Sequence, residues 1–248
     1  MDRAAMLQAL QAMGIDTSTI TDVVPDEVIK AWLESLQAKS QTPADTGAAA
    51  FADVTGAGAT VPAIDASAVP ELLERFPGAR TAKVKVAEKG QSLAQDVARV
   101  NEVRRHIPNV RVDANGGWSV DEAITALRAI TDDGELEYAE QPCASVEELV
   151  RVRAAGTGVR IAADESIRRA EDPLRVVRAG GADVAVVKVP PLGGMRAVVA
   201  LSAQLADYGV PVVVSSALDT AVGMSAGLAA AAASARSPRR RQRLLAKS

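Results

Sequence analysis

Six short runs rich in β-branched and small residues recur along this chain, and each ends in a residue that can do chemistry. They occupy 81–86, 110–115, 136–141, 160–165, 183–189 and 211–216, and residues 59–64 supply a seventh. At or near their C-terminal ends stand Lys85, Asp113, Glu140, Asp164, Lys188 and Ser215, at intervals of 28, 27, 24, 24 and 27 residues. Each interval fits one strand, one covering helix and the return to the next strand. The stretches between, such as 92–106, 120–130, 146–155 and 195–208, carry apolar residues at helical spacing. Strict alternation of strand and helix predicts an α/β fold with a parallel sheet, here a TIM-type (β/α) barrel left incomplete at about seven strands. In such a barrel the strand ends converge on one mouth, where active sites sit.

Composition agrees. Of 248 residues 48% are hydrophobic and only 2% aromatic, so the core is built of Ala, Val, Leu and Ile, which suits strands covered on both faces. The formal net charge of −3 argues against general nucleic-acid binding. The single cysteine, Cys143, allows no disulfide within the chain and fits a cytoplasmic protein. No apolar segment follows Met1, and the longest uncharged run, 220–235, is short for a bilayer span. No membrane partner is expected, and the oligomeric state is left open.

Four regions are expected. Residues 1–38 read as two short helices, the first with Met6, Leu7, Leu10 and Met13 on one face, the second opening at Pro25. Residues 39–58 have no period and read as a linker. The barrel spans 59–233. Residues 234–248 form a basic tail with Arg236, Arg239, Arg240, Arg241, Arg243 and Lys247, read as a solvated, disordered segment without specific nucleic-acid binding.

The constellation at the strand ends suggests a reaction. Asp113, Glu140 and Asp164 belong to three consecutive units, so the fold would bring three carboxylates together, where they repel unless neutralised. All-oxygen donors favour magnesium, with manganese second. Lys85 and Lys188, on strands two and six, would face each other across the mouth, on opposite sides of a small carboxylate substrate held by the metal. A metal-held carboxylate stabilises the charge left when the neighbouring carbon loses its proton. A lysine beside the cation and a second lysine would have a lowered pKa, suiting it as the base. Lys83 lies on the same side of its strand as Lys85. Only one of them reaches the proton, and Lys85 is favoured, with Lys83 as support. Asn115 reads either as a turn residue or as part of the site, and Glu165 either as a loop acid or as a partner of Lys188. His106 reads as a surface histidine at a helix end, and Cys143 as a packing residue.

Five motifs, in this order, resemble the enolase superfamily in its muconate lactonising subgroup. They are Lys83-Val84-Lys85, Val112-Asp113-Ala114-Asn115, Glu140-Gln141-Pro142, Ala163-Asp164-Glu165-Ser166 and Val187-Lys188-Val189. Within it the nearer resemblance is to the actinobacterial o-succinylbenzoate synthase family of menaquinone biosynthesis, over roughly residues 59–233. That resemblance implies a magnesium-dependent syn-dehydration of a succinyl-hydroxy-cyclohexadiene carboxylate. Lys85 would remove the α-proton, Lys188 would steady the intermediate, and Asp113, Glu140 and Asp164 would bind the metal. Ser215 and Ser216 would place the succinyl tail. Residues 1–58 do not resemble the family's capping domain, and the resemblance stops near Ser234. Two alternatives stand beside this reading: an N-acylamino-acid racemase or dipeptide epimerase, and a truncated or fused barrel without activity.

Overall fold

The computed structural model describes residues 2–12, 26, 30, 58–216 and 219–235. Helix α1 (Arg3–Ala12) comes first. Seven strands then follow: β1 (Ala59–Val61), β2 (Thr81–Lys85), β3 (Asn109–Asp113), β4 (Tyr138–Glu140), β5 (Ile161–Ala163), β6 (Val184–Lys188) and β7 (Val212–Ser215). They form one sheet in sequence order, every neighbouring pair parallel. The connecting helices are α2 (Val69–Leu73), α3 (Leu93–His106), α4 (Val120–Thr131), α5 (Val146–Ala154), α6 (Glu165–Arg168), α7 (Arg175–Arg178) and α8 (Met195–Asp207), with α9 (Ala221–Ala235) after β7.

Strand residues alternate between two cores, as the pleat requires. Val84, Val112, Ala139, Ile161, Ala185 and Val187 join the large core shared with the helices. Their neighbours Tyr138, Ala162, Val184 and Val186 form a separate cluster with Val213 on the other face. The sheet must be curled around that second face. Six flat inter-strand steps of about 4.8 Å would separate β1 from β7 by about 29 Å. Instead a single cavity of about 310 Å³ touches Thr60 of β1, Lys83 of β2, Glu140 of β4 and Ser215 of β7. β1 and β7 are the ends of the sheet order and do not pair with each other. The result is an incomplete (β/α) barrel, as the strand count predicts.

Three successive helices start in the same way. Ser92, Ser119 and Ser145 each accept from the backbone N–H three residues on. Gln95, Glu122 and Glu148 reach back to the serine's own N–H. These capping boxes satisfy donors that a helix start leaves open. They fix where each chain segment leaves the mouth of the barrel.

Helix α1 matches the first expected helix, with Met6 buried. The second expected helix and the linker lie outside the described residues, apart from Asp26, Lys30 and Gly58. The tail from 236 onward also lies outside them, while Ser234 and Ala235 belong to α9 rather than to the tail. Among the described residues, no helix is long and apolar enough to cross a membrane.

Candidate active site

Parallel register sets the chemistry in a row. Lys85 pairs with Asp113 and Asp113 with Glu140, so the last residues of β2, β3 and β4 stand level. β5 ends one residue before Asp164, and Lys188 at the end of β6 is level with Ser215 of β7. Asp113, Glu140 and Asp164 are each at most 1% exposed, and Lys188 is buried with them. Carboxylates are rarely buried so completely without partners.

The partners are lysines, with an arginine joining Lys188 at Asp164. Lys83 Nζ lies 2.9 Å from Asp113 Oδ2 and 3.1 Å from Glu140 Oε1. Lys85 Nζ donates to the same Asp113 oxygen at 2.7 Å and also to Asn115 Oδ1. Lys188 Nζ donates to Asp164 Oδ2 at 2.6 Å. Burial works against the charge on Lys83, but Glu140 and Asp113 outweigh it and hold this ammonium above its ordinary range. Burial likewise opposes ionisation of Asp113, and Lys83 and Lys85 overcome it, so that carboxyl is lowered. Glu140 goes the other way. Burial, with Asp113 and Asp164 adding to it against Lys83, pushes it up to about 7.

The donor chemistry fits a hard divalent cation. Three carboxylates from adjacent strand ends supply only oxygen. A buried carboxyl raised by two neighbouring carboxylates is also a donor that added positive charge would return to its ionised form. As the side chains stand, the lysines neutralise the acids, and among the described residues no three of His, Cys, Asp or Glu close on one point.

The remaining expected residues fall around this row. Asn115 has a positive φ of 47°, as a turn residue would, and also meets the row: it donates its N–H to Asp113 and accepts from Lys85. Glu165 does not partner Lys188, contrary to one reading of the sequence. Its Oε1 accepts from Arg168, 2.6 Å away and one turn along α6, and from Asn115 at 3.2 Å. Its other oxygen, Oε2, is buried without a hydrogen-bond partner, and Lys188 pairs with Asp164 instead. Ser215 and Ser216 line the cavity with Lys83 and Glu140. Cys143 is fully buried, as a packing residue should be, and His106 sits at the exposed end of α3 beside Glu102.

Three residues escaped the sequence reading. Arg168 also reaches Asp164, at 3.0 Å. Arg99, fully buried on α3, donates to the carbonyls of Lys85 and Ile64, which ties the end of β2 to the loop after β1. Gln141 lies between the acidic strand ends. Arg168 stands three and four residues after Glu165 and Asp164, a helical ion-pair spacing that could have marked it, whereas Gln141 stands inside the Glu140-Gln141-Pro142 motif with nothing to show a role of its own. Arg99, on a helical face with Asp96 three residues before it, could have been suspected only as a buried ion pair.

Residues 68–245 match the family described as enolase C-terminal domain-like. The chain belongs to that family. The match runs past the point near Ser234 where the resemblance was expected to stop. An o-succinylbenzoate synthase of Mycolicibacterium smegmatis is 63% identical over 203 residues, covering 82% of this chain and 61% of that protein. One from Mycobacterium tuberculosis is 66% identical over 175 residues, covering 71% and 52%. The chain therefore spans only about half to three-fifths of the length of these relatives. Among solved structures, a substrate-liganded L-Ala-D/L-Glu epimerase of Bacillus subtilis is 30% identical. It covers 75% of this chain and 55% of that one, with a TM-score of 0.64. Members of this superfamily bind a divalent metal, typically magnesium.

Proposed function

We propose that this chain carries the catalytic barrel of an o-succinylbenzoate synthase-type lyase, a cytoplasmic enzyme of menaquinone biosynthesis. The observation that carries the reading is the level row of Lys85, Asp113 and Glu140, with Asp164 and Lys188 completing it. The identity to named synthases supports it. Asp113, Glu140 and Asp164 would hold a magnesium ion, or manganese in its place. When bound, that ion supplies Lewis-acid stabilisation of negative charge on the substrate carboxylate.

The chain's own residues do the rest. Lys83 is held as a charged ammonium between two acids, so it is a poor proton acceptor and a good electrostatic brace. Lys85, bound to one acid and one amide oxygen, is left as the base. It takes the proton from the carbon α to the carboxylate. Hydroxide then leaves from the same face, takes that proton back from the Lys85 ammonium and departs as water, so the ring becomes aromatic and Lys85 is restored. Lys188, fixed by Asp164, offers positive charge opposite Lys85 while the substrate carries extra electron density. Ser215 and Ser216 are placed to bind the succinyl tail, and Asn115 and Glu165 to steady Lys85 and Arg168.

Purified chain, given magnesium and the succinyl-hydroxy-cyclohexadiene carboxylate, should generate aromatic ultraviolet absorbance. Chelation should abolish the signal, as should Lys85→Ala and Lys188→Ala. Folded protein that instead racemises an N-acylamino acid, followed by optical rotation, would favour the second reading, for which the likeness to the Bacillus epimerase speaks. Folded protein inert to both substrates would reject the lyase reading for this chain.

A further inference from the structure

Gln141 has a separate role to account for. It is 0% exposed and makes no contact that the lyase chemistry itself requires. Its backbone is left-handed, φ 39°, a conformation that side chains other than glycine rarely adopt and keep only when surroundings impose it. The surroundings do so completely. Its N–H donates to the Ala162 carbonyl at 2.7 Å, and its carbonyl accepts from Gly116 N–H at 2.7 Å. Its side-chain oxygen accepts from the N–H groups of Asp164, at 3.0 Å, and Ser166, at 3.2 Å. Its side-chain nitrogen donates to the Cys143 carbonyl at 2.9 Å and to Ser166 Oγ at 2.8 Å.

A primary amide has two acceptor and two donor positions, and all four are used here. A buried network with every position satisfied has one arrangement, and any shift of a member breaks bonds that no water can replace. The bonds run from β4 to the two flanking strand ends. Gly116 lies three residues after Asp113, Glu140 is the residue before Gln141, and Asp164 is held by its own N–H. We propose that Gln141 is the positioning residue that sets the spacing of the three carboxylates for their cation. The inference rests on the reading that Asp113, Glu140 and Asp164 bind a divalent metal. No other residue type would serve equally: glutamate keeps the acceptors and loses both donor hydrogens, and methionine keeps only the shape.

The test is Mn²⁺ binding to the full chain, read by the electron paramagnetic resonance of the free ion, so that no turnover is needed. Wild type should bind Mn²⁺ in competition with magnesium, and Asp113→Asn combined with Glu140→Gln should abolish binding. Gln141→Met should weaken binding about tenfold or more while circular dichroism stays native. Gln141→Glu should fall between, and it carries the test alone if the methionine variant does not fold. Arg104→Met removes a brace that holds the Ile130 and Gly134 carbonyls away from the site. It should lower the melting temperature and leave Mn²⁺ affinity within about twofold, below what losing a positioning residue does. Wild-type affinity in a folded Gln141 variant would overturn this inference alone. Failure of wild type to bind Mn²⁺, or binding that survives the double variant, would overturn the metal reading and this inference with it.

Discussion

The ammonium of Lys83 reaches two carboxylates at once, on two different strands, and its side chain is only 21% exposed. Removing it would leave Asp113 with Lys85 but Glu140 facing two other acids without its cation. Breaking a buried ion pair from one side costs several kcal/mol, because the remaining charge stays desolvated. Lys83→Met should therefore cost about 3 kcal/mol, the low end of the range for such pairs, since Glu140 can relieve part of it by taking a proton. Urea denaturation measures this, with Lys83→Arg retaining most of the stability. A loss below about 1 kcal/mol, the size of an exposed pair, would mean that the acids do not depend on Lys83. The sequence showed Lys83 and Lys85 sharing a face. It could not show which of them lay between two acids, because that follows from the register with β3 and β4 rather than from spacing along β2. Gln141 was missed for the same reason, because its bonds cross between strand ends and several go to backbone atoms that carry no residue signature. Arg168 differs: its partners Asp164 and Glu165 lie four and three residues before it, within one helical turn.

Elements were more legible than contacts. Each of the seven strands lies within the run that predicted it or begins one residue before it, and α3, α4, α5 and α8 match their expected stretches to within a residue or two. Hydrophobic periodicity supplied these, and the Ser-x-x-Gln/Glu signature at Ser92, Ser119 and Ser145 would have sharpened three of the starts. What lacked a period was not assigned. Helices α2, α6 and α7 are four or five residues long, too short for a repeating face. Helix α9 is nearly all Ala, Gly and other small or apolar residues, so no side of it stands out as polar. The capping boxes carry a prediction at this scale. Ser145→Ala should cost about 1 kcal/mol, the usual worth of a serine cap, seen as a lower urea midpoint with an unchanged slope. A neutral result would show that the end of β4 and the Cys143 segment hold the start of α5 without its cap.

Across the whole molecule, burial is graded. Every residue of β4, β5 and β6 is buried, whereas all four of β7 are only partly so and the middle residue of β1 is exposed. Among the described residues, strands at the ends of the sheet order have a neighbour on one side only. Amide hydrogen exchange should follow this gradient, slowest in peptides covering β4 to β6 and fastest, among the strands, in β1 and β7. Uniform protection across all seven would mean that the outer edges of β1 and β7 are covered in solution. The curl of the sheet and its level strand ends were predictable from the regular unit length. The unpaired ends were predictable only as a strand count. The division of each strand between two cores has a further consequence, for change over evolutionary or laboratory time. Val84 and Val112 answer to the helices, while Lys83, Arg111, Tyr138 and Glu140 line the interior, with Asp113 tied to Lys83, and Lys85 to Asp113, by ion pairs. Adjacent codons are thus subject to different demands. A library randomised at those interior positions alone would vary what the mouth can do on a shell whose outer packing is left untouched.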